Sequence, residues 1–452
     1  MRAVPLVLAA VLIGFQSEGT TPAAVARLIE QELTAARVPG AAIAVVSGDV
    51  VYAGSYGLSD ADNSTPMTAT TLLQAGSLTK LFTALSVGVA LESRQLPYET
   101  SLGRVMTGLG PQAAGVTFHQ LLSQTSGLRD RAGDDGSADE AALAAAARGL
   151  VSSDFILPPG LVFSYSNLGY ALAGAGLEAL VRERYADALD VLVLGPLGMT
   201  QSTMRPAQAT ARPHAIGHRL DGAAVVALRT PANDTRIWPA GYLWTNATDL
   251  SHALSSLLSS GKVDGQKGLP ASVIARVSTP HTPMPNVFVG GHYGYGLMIA
   301  RDRGVLVYEH GGTMPGFSAM LRLAPERRFG IAVLTNLDNA PLRRVAQSVM
   351  AKALNMPEAS IPQRQESAVT AEELKDLLGR YQNRGTADVS AQGARVVLSL
   401  DGGPPFAVTR IGDNRYLARP KPEIAGPEFV LQPAANGNPP YLHFALWAYA
   451  KQ

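Results

Sequence analysis

The sequence predicts an α/β (α+β) protein: helices flank an antiparallel sheet, a helical subdomain is inserted into it, and a small C-terminal antiparallel β domain follows. Strand-forming residues occur near the start of the 452-residue chain and return after about residue 280. Residues 71 to 280 are rich in Ala and Leu and mostly helical or loop-like in pattern. Both ends of the first unit should therefore build one sheet, and a cleft between sheet and insertion is the natural ligand site.

The first unit begins with a predicted helix and a predicted hairpin. Apolar residues recur at helical spacing in TPAAVARLIEQELTAARVPG, which ends at a Val-Pro-Gly stop. Two β-branched runs then flank Gly48-Asp49 in AAIAVVSGDVVYAGSYG, which is typical of a hairpin. Further strands are predicted in GYGLMIARDRGVLVYEH and FSAMLRLAPERRFGIAVLTNL, and a closing helix in PLRRVAQSVMAKAL.

A polar stretch with two prolines, NMPEASIPQRQES, separates this unit from the rest of the chain. We place the first domain at residues 20–355, a linker at 356–367 and a C-terminal domain at 368–452. Beyond the linker, short runs of alternating apolar and polar residues lie between Gly, Pro and Asn turns, which predicts a β-barrel-like domain. Two sets of apolar residues are each expected to share one face of a strand: Val396, Leu398 and Leu400, and Leu442, Phe444 and Leu446. No catalytic side chains cluster in this domain.

Composition excludes several classes of function. The formal net charge is +1, so nothing indicates a nucleic-acid partner. The sequence contains no cysteine, which excludes disulfides, thiolate metal sites and a cysteine nucleophile. The N-terminal stretch MRAVPLVLAAVLIGF, followed by small residues, predicts a secretory signal at residues 1–19, with an uncleaved membrane anchor as the alternative. We expect a periplasmic or secreted protein with no stable membrane span after cleavage.

Ser77 and Lys80 form a Ser-x-x-Lys motif where a buried helix should begin. Residues three apart on a helix share a face, and a desolvated amine can take the proton of a nearby hydroxyl. The alternative is that Ser77 only caps the helix and Lys80 reaches solvent. The motif alone is weak, because SSGK at 259–262 also matches it, in what we expect to be a turn.

Two later stretches strengthen this interpretation. Tyr165 and Asn167 lie two apart after a Leu-Pro-Pro-Gly turn, so both can face one cleft, although YQN at 381–383 repeats the tripeptide without that context. A predicted strand ends in His310-Gly311-Gly312, and glycines there let backbone N–H groups approach a substrate as an oxyanion hole requires.

Ser-x-x-Lys, Tyr-x-Asn and His-Gly-Gly in this order resemble the serine β-lactamase and penicillin-binding-protein superfamily, specifically its class C-type branch with related esterases and D-amino-acid peptidases. The segments VTFHQLLSQTSGL (116–128) and WPAGYLWTNATDL (238–250) also resemble that branch, and the resemblance covers about residues 21–354. It implies a β-lactamase/transpeptidase-like fold and an exported serine hydrolase that acts on a lactam, ester or D-amino-acid amide.

The resemblance also implies roles for individual residues. Ser77 would be the nucleophile, and Lys80 and Tyr165 would share the proton transfers, with the resting position of the proton left open. Asn167 would orient Lys80 and hold the substrate amide. The backbone N–H groups of Ser77 and Thr313 would form the oxyanion hole.

One position departs from the pattern. β-Lactamases of this class usually carry lysine where this chain has His310, and an imidazole of ordinary pKa is mostly neutral at pH 7. This disfavours an efficient β-lactamase and favours an esterase or peptidase, unless His310 is only a packed residue.

The sequence implies a small-molecule or peptide substrate and no cofactor or metal. His214 and His218 have a zinc-like spacing, but Pro213 and Gly217 disfavour a helix there. Two alternatives stay open: a receptor that its ligand acylates with negligible turnover, and a vestigial hydrolase that acts as a binding scaffold. The oligomeric state is not predicted.

Overall fold

The computed structural model describes residues 21–130, 136–263, 265–285, 290–359, 365–393, 395–420, 426–435 and 437–452. The predicted signal at residues 1–19 lies outside the described residues. So does part of the predicted linker, and the domain boundaries stay a prediction. Within the described part of the chain, no helix is long and apolar enough to cross a bilayer.

The N-terminal segment forms the predicted helix and hairpin. The elements are α1 (Pro22–Ala35), β1 (Gly40–Ser47), β2 (Val50–Asp60) and the short β3 (Thr65–Pro66). Thr21 caps α1, because its side chain accepts a hydrogen bond from the Ala24 N–H at 3.3 Å. Gly48 has a φ of +62° in the hairpin turn, which explains a glycine at this position.

The middle of the chain is mostly helical, as predicted. Its elements are β4 (Leu73–Gln74), α2 (Thr79–Ser93), α3 (Pro111–Gly115), α4 (Phe118–Leu122), α5 (Ala142–Arg148), α6 (Asn167–Val181), α7 (Tyr185–Leu189), α8 (Pro206–Thr210), β5 (Gly217–Asp221), β6 (Ala224–Leu228), β7 (Trp244–Thr245), α9 (Ala247–Leu258), β8 (Lys262–Val263), β9 (Gln266–Lys267) and α10 (Ala271–Val277). The second Ser-x-x-Lys lies just past α9, in the turn that leads to β8, as expected.

The chain then returns to the sheet. The elements are β10 (Thr282–Pro283), β11 (His292–Tyr293), β12 (Met298–Asp302), β13 (Val305–Met314), β14 (Phe317–Ala324), β15 (Phe329–Thr335) and α11 (Leu342–Ala353). One expectation is wrong here: β13 does not end at His310-Gly311-Gly312 but continues to Met314, because Gly311 and Gly312 still pair with Met320 and Ala319 of β14.

In the described residues the sheet has nine strands in the order β10-β11-β12-β13-β14-β15-β1-β2-β3, and every pairing is antiparallel. Alternate residues of β1 face opposite sides of this sheet. Ile43 and Val45 pack with α1 and α11, whereas Ala42 and Ala44 pack with the core of the helical insertion. Both ends of the first unit therefore build one sheet, and the insertion covers one of its faces.

As far as the structure describes it, the C-terminal domain is a closed antiparallel barrel of eight strands preceded by a helix. Its elements are α12 (Ala371–Leu377), β16 (Gly379–Gln382), β17 (Thr386–Gln392), β18 (Arg395–Leu400), β19 (Phe406–Gly412), β20 (Arg415–Arg419), β21 (Glu428–Gln432), β22 (Tyr441–Phe444) and β23 (Trp447–Lys451). Val396, Leu398 and Leu442 lie in its core, and Leu400 and Phe444 pack against that core.

Leu446 does not share this barrel face, so that expectation is wrong. β22 ends at Phe444, and Ala445, with a φ of +50°, turns the chain back toward β23. Leu446 packs instead on a cluster outside the barrel that contains Phe163, Tyr165 and Met298. The turn between β22 and β23 therefore contacts the first domain.

Candidate active site

Ser77 lies where the chain enters α2 and directly against strand β13. A short 3₁₀ turn, Gly76–Leu78, precedes the helix. A Cβ atom at Gly76 would lie 2.6 Å from the Thr313 nitrogen, and one at Gly312 would lie 1.9 Å from the Ala75 oxygen and 3.0 Å from the Ser77 nitrogen. These two glycines let the backbones of Ser77 and Thr313 lie side by side, which is the arrangement that an oxyanion hole needs.

Lys80 lies one helical turn beyond Ser77, fully buried. Its Nζ donates hydrogen bonds to Ser77 Oγ at 3.2 Å, Asn167 Oδ1 at 2.7 Å and the Ala240 carbonyl at 2.7 Å. It does not reach solvent, so the alternative drawn from the sequence is wrong on this point. The sequence did not indicate the Ala240 carbonyl, although Ala240 lies in the segment WPAGYLWTNATDL, which resembles the family.

The environment of Lys80 lowers its basicity. Burial lowers the pKa of Lys80 to about 7, and the negative charge of Asp130 opposes this shift. The Nζ also lies 4.7 Å from the ring centre of Tyr165, a cation–π contact that favours the protonated amine and does not contribute to the lowering. At neutral pH a substantial fraction of the Lys80 amine is therefore unprotonated and able to accept a proton.

Tyr165 approaches Ser77 from the loop before α6. Its phenol hydrogen-bonds the Ser77 side chain, and its backbone N–H donates to the Leu446 carbonyl at 2.9 Å. Burial raises the pKa of Tyr165 well above its usual value, the nearby Tyr293 adds to this, and the hydrogen bond with Ser77 opposes it. The phenol is therefore protonated at neutral pH, and it can donate a proton more readily than it can accept one.

Asn167 begins α6 and links Lys80 to a carboxylate that the sequence did not indicate. Its side-chain amide and its backbone N–H donate to Asp130 Oδ1, at 3.0 and 2.9 Å. This fixes the amide so that Oδ1 faces Lys80. Asp130 is buried, and burial raises its pKa, while hydrogen bonds from Asn167 and Trp447 and the charges of Lys80 and Arg384 oppose that rise.

The C-terminal barrel contributes directly to this cluster. Trp447 Nε1 donates to Asp130 Oδ2 at 3.0 Å. Asn383, from the second Tyr-x-Asn tripeptide, accepts from the Asp130 N–H at 2.9 Å and donates to Ser164 Oγ at 3.2 Å and the Ala448 carbonyl at 2.8 Å. The repeated tripeptide thus anchors the two domains to each other at the site.

A cleft of about 700 Å³ opens at Ser77. The first domain lines it with Tyr165, Asn167, His310 and the backbone up to Thr313, and the barrel lines it with Arg384, Leu446 and Trp447. No site residue was predicted in the C-terminal domain from the sequence. These three barrel residues correct that view, since the cleft is formed jointly by both domains.

His310 is buried in the middle of β13 and also borders the cleft. Its Nδ1 donates to the Gly311 carbonyl at 2.6 Å, which leaves Nε2 to accept from the Tyr293 hydroxyl at 3.2 Å. Burial, with the charge of Lys80, lowers the pKa of His310 to about 3. The imidazole is neutral at pH 7 and presents no positive charge to a substrate.

The other histidines singled out from the sequence do not join this site. His218 is buried and its Nδ1 donates to the Asn336 carbonyl at 3.0 Å, while His214 Nδ1 donates to the Arg212 carbonyl at 2.9 Å. Among the described residues, no three His, Cys, Asp or Glu side chains are grouped to hold a metal ion.

The fold is a sheet with a helical insertion, and its cleft groups the Ser77, Lys80 and Tyr165 side chains. These two features define a class of proteins that hydrolyse an acyl compound through a serine or hold it as an acyl-serine. The family model described as Beta-lactamase matches residues 25–355. The chain belongs to this family, and the resemblance stated from the sequence is confirmed.

Two curated relatives match most of the first domain. The chain is 27% identical over 338 residues to protein flp of Staphylococcus aureus (strain COL), covering 73% of this chain and 66% of that protein. The chain thus spans about two thirds of the length of the staphylococcal relatives it matches. It is 29% identical over 316 residues to penicillin-binding protein 4 of Amycolatopsis lactamdurans, covering 66% of this chain and 81% of that protein.

Among solved structures, the chain is similar to SurE in both domains. The crystal structure of SurE superposes with a TM-score of 0.83 at 26% identity, covering 96% of this chain and 100% of SurE. A structure of SurE with D-Leu gives a TM-score of 0.81 over the same coverage. The arrangement of a β-lactamase-like domain with a C-terminal domain is therefore shared with a solved protein.

Proposed function

We propose that the chain is a serine hydrolase that forms an acyl-enzyme on Ser77 and releases the acyl group to water. The observation that carries this proposal is the contact between Ser77 Oγ and Lys80 Nζ at 3.2 Å. Burial lowers the pKa of this same Lys80 amine to about 7. A hydroxyl next to such a base is an activated nucleophile at neutral pH.

Acylation follows from the arrangement of the groups. The neutral Lys80 amine takes the proton of Ser77 as Oγ bonds to the substrate carbonyl carbon, and the carbonyl electrons move to oxygen. The N–H groups of Ser77 and Thr313 stabilise that oxyanion. When the tetrahedral intermediate collapses, the bond to the leaving group breaks. The leaving group takes a proton from the Tyr165 phenol, and the Lys80 ammonium gives its proton back to the phenolate.

Deacylation repeats these steps with water in place of Ser77. Lys80 is neutral again once its proton has passed to the leaving group, so it can take a proton from a water that attacks the acyl carbon. The bond between the acyl carbon and Ser77 Oγ then breaks, and Oγ recovers its proton. The carboxylic acid leaves, and the resting site is restored.

The substrate we propose is an ester or amide that contains a D-configured amino acid. The neutral His310 weakens the pull on a lactam carboxylate from this strand, which disfavours efficient β-lactamase activity. A D-configured residue is supported by the similar protein SurE, for which a structure with D-Leu is solved. We also propose that the protein is exported, on the basis of the apolar stretch within residues 1–19.

The proposal is tested by labelling the protein with a fluorophosphonate and locating the modified residue by mass spectrometry. We expect labelling at Ser77 and its loss in Ser77→Ala. The matched control is Ser259→Ala, since Ser259 and Lys262 form the second Ser-x-x-Lys but Ser259 Oγ contacts only backbone carbonyls. Labelling that survives in Ser77→Ala would place the nucleophile elsewhere.

Rates on three substrates then identify the reaction. A chromogenic cephalosporin, a short-chain nitrophenyl ester and a D-alanyl amide are compared with the same preparation. We expect steady turnover of the ester and the D-alanyl amide and weak turnover of the cephalosporin. A burst of one equivalent without further release would instead favour the acylated receptor. The absence of any acylation would favour the binding scaffold.

A further inference from the structure

We infer that the C-terminal barrel supplies a carboxylate-binding subsite for the substrate, formed by Arg384 held against the indole of Trp447 at the Ser77 cleft; the inference rests on the proposed function. The ligand is an acidic group of the molecule whose reacting carbonyl lies at Ser77. The barrel would then select substrates, while the first domain supplies the nucleophile.

The first step is that Arg384 is held in place. It follows Asn383, whose side chain makes three hydrogen bonds, two of them across the domain junction to Asp130 and Ser164. The guanidinium carbon of Arg384 lies 4.6 Å from the centre of the Trp447 ring, a cation–π contact. Trp447 is itself fixed by its hydrogen bond to Asp130. Both the backbone and the head group of Arg384 are therefore positioned before any ligand arrives.

The second step is that the guanidinium is available. Arg384 is exposed, and within the described part of the chain it makes no ion pair. The other arginine that lines the cleft, Arg343, donates to Glu309 at 2.7 Å, and that carboxylate is shared with the buried Arg322. Arg384 is thus the cleft arginine whose planar N–H groups are open to a carboxylate of the substrate.

The third step is that strand β13 supplies no positive charge, so a group on another element must supply the charge that binds a substrate carboxylate. β-Lactamases of the class C type usually carry a lysine where this chain has His310, and this imidazole is neutral and already hydrogen-bonded on both ring nitrogens. Asp130 also borders the cleft and adds negative charge, whereas the Glu309 carboxylate there is paired with Arg322 and Arg343. A substrate with a carboxylate would be repelled without a positive group, and Arg384 supplies one from the barrel.

The test compares esters that differ only in charge. One pair carries the group on the acyl side (4-nitrophenyl hemisuccinate and 4-nitrophenyl succinamate), and the other on the leaving group (3-carboxyphenyl acetate and 3-carbamoylphenyl acetate). Kinetics are measured for the full chain, Arg384→Ala, Arg384→Lys and the control Arg395→Ala. Arg395 is an exposed arginine of the same barrel that does not line the cleft.

For at least one pair, we expect Arg384→Ala to lower kcat/KM of the carboxylate ester about tenfold and to leave its carboxamide partner unchanged. Arg384→Lys should retain part of the preference for the carboxylate ester over its carboxamide partner, and Arg395→Ala should retain all of it. This preference should weaken at high salt. Equal losses on both members of each pair, or no loss on either carboxylate ester, would overturn the subsite.

A binding measurement separates this inference from the proposed function. Calorimetry of N-acetyl-D-alanine and its amide with Ser77→Ala requires no chemistry. Binding of the acid that is weakened by Arg384→Ala in this background would support the subsite even if the wild-type protein turned over no substrate. Turnover without any charge preference, together with equal binding of acid and amide, would support the hydrolase function and contradict the carboxylate-binding subsite.

Discussion

The Oδ1 atom of Asn167 lies 2.7 Å from Lys80 Nζ, closer than Ser77 Oγ at 3.2 Å. The amide of Asn167 is held in this orientation by Asp130, which also accepts a hydrogen bond from Trp447. The position of the proposed base therefore depends on a chain of contacts that begins in the other domain.

The first prediction concerns pH. Lys80 has to be neutral to accept the Ser77 proton, and burial lowers its pKa to about 7. We expect kcat/KM for a neutral ester to be constant at mildly alkaline pH and to fall about tenfold per pH unit well below pH 7. A pH profile of the wild-type protein measures this. A flat profile from pH 5 to 9 would contradict the role given to Lys80.

The second prediction concerns Asp130. Its negative charge raises the pKa of Lys80, so Asp130→Asn should move the acid limb of the pH profile to lower pH. The maximal rate should fall about tenfold or more, because the new amide has a single acceptor oxygen and cannot accept hydrogen bonds from both Asn167 and Trp447. Asp249→Asn is the control, since Asp249 is another buried carboxylate that is hydrogen-bonded to Ser202. An equal loss of rate in both variants, with the limb unmoved, would reduce Asp130 to a structural role.

The third prediction concerns Tyr165. Because burial raises its pKa well above the usual value, this phenol should produce no alkaline limb below about pH 10. Tyr165→Phe should lower kcat about 100-fold or more through loss of proton transfer to the leaving group. Tyr381→Phe, in the repeated Tyr-x-Asn tripeptide, should keep full activity. An alkaline limb near pH 9 that disappears in Tyr165→Phe would show that the phenolate takes part.

The fourth prediction compares two adjacent glycines of β13. A Cβ at Gly312 would lie 1.9 Å from the Ala75 carbonyl oxygen, so Gly312→Ala must push the strand away from Ser77. A Cβ at Gly311 would meet no atom closer than 3.6 Å. We expect Gly312→Ala to lose at least about tenfold in the rate of fluorophosphonate labelling, and Gly311→Ala to label normally. Equal labelling of the two variants would argue against an oxyanion hole at Thr313.

The local part of the site could be predicted from the sequence. Ser77 and Lys80 lie one helical turn apart, and Tyr165 and Asn167 are separated by the single residue that caps α6, so short-range geometry brings each pair to one side. The sheet was also predictable, because its strands carry long apolar runs and the hairpin turn carries a glycine. His310 was misplaced at a strand end because glycines usually interrupt a strand, whereas here they continue the ladder with β14.

The remaining part of the site depends on contacts between distant residues. Asp130 meets Asn383 across 253 positions and Trp447 across 317 positions of the sequence. No local pattern around Asp130 or Arg384 distinguishes them from ordinary charged residues. Leu446 alternates correctly with its neighbours, and only the turn at Ala445 removes it from the barrel face. Such residues are recognised once the two domains are seen together.

The hydrogen bond from the Tyr165 amide to the Leu446 carbonyl places the barrel beside the nucleophile as one wall of the cleft. For protein engineering, this wall is a part of the site that can be exchanged. A chimaera that carries the barrel of a relative would inherit a new wall beside an unaltered nucleophile. Exchanging the barrel while keeping Asn383 and Trp447, which hydrogen-bond the two domains to each other, is thus a direct route to altered substrate selectivity.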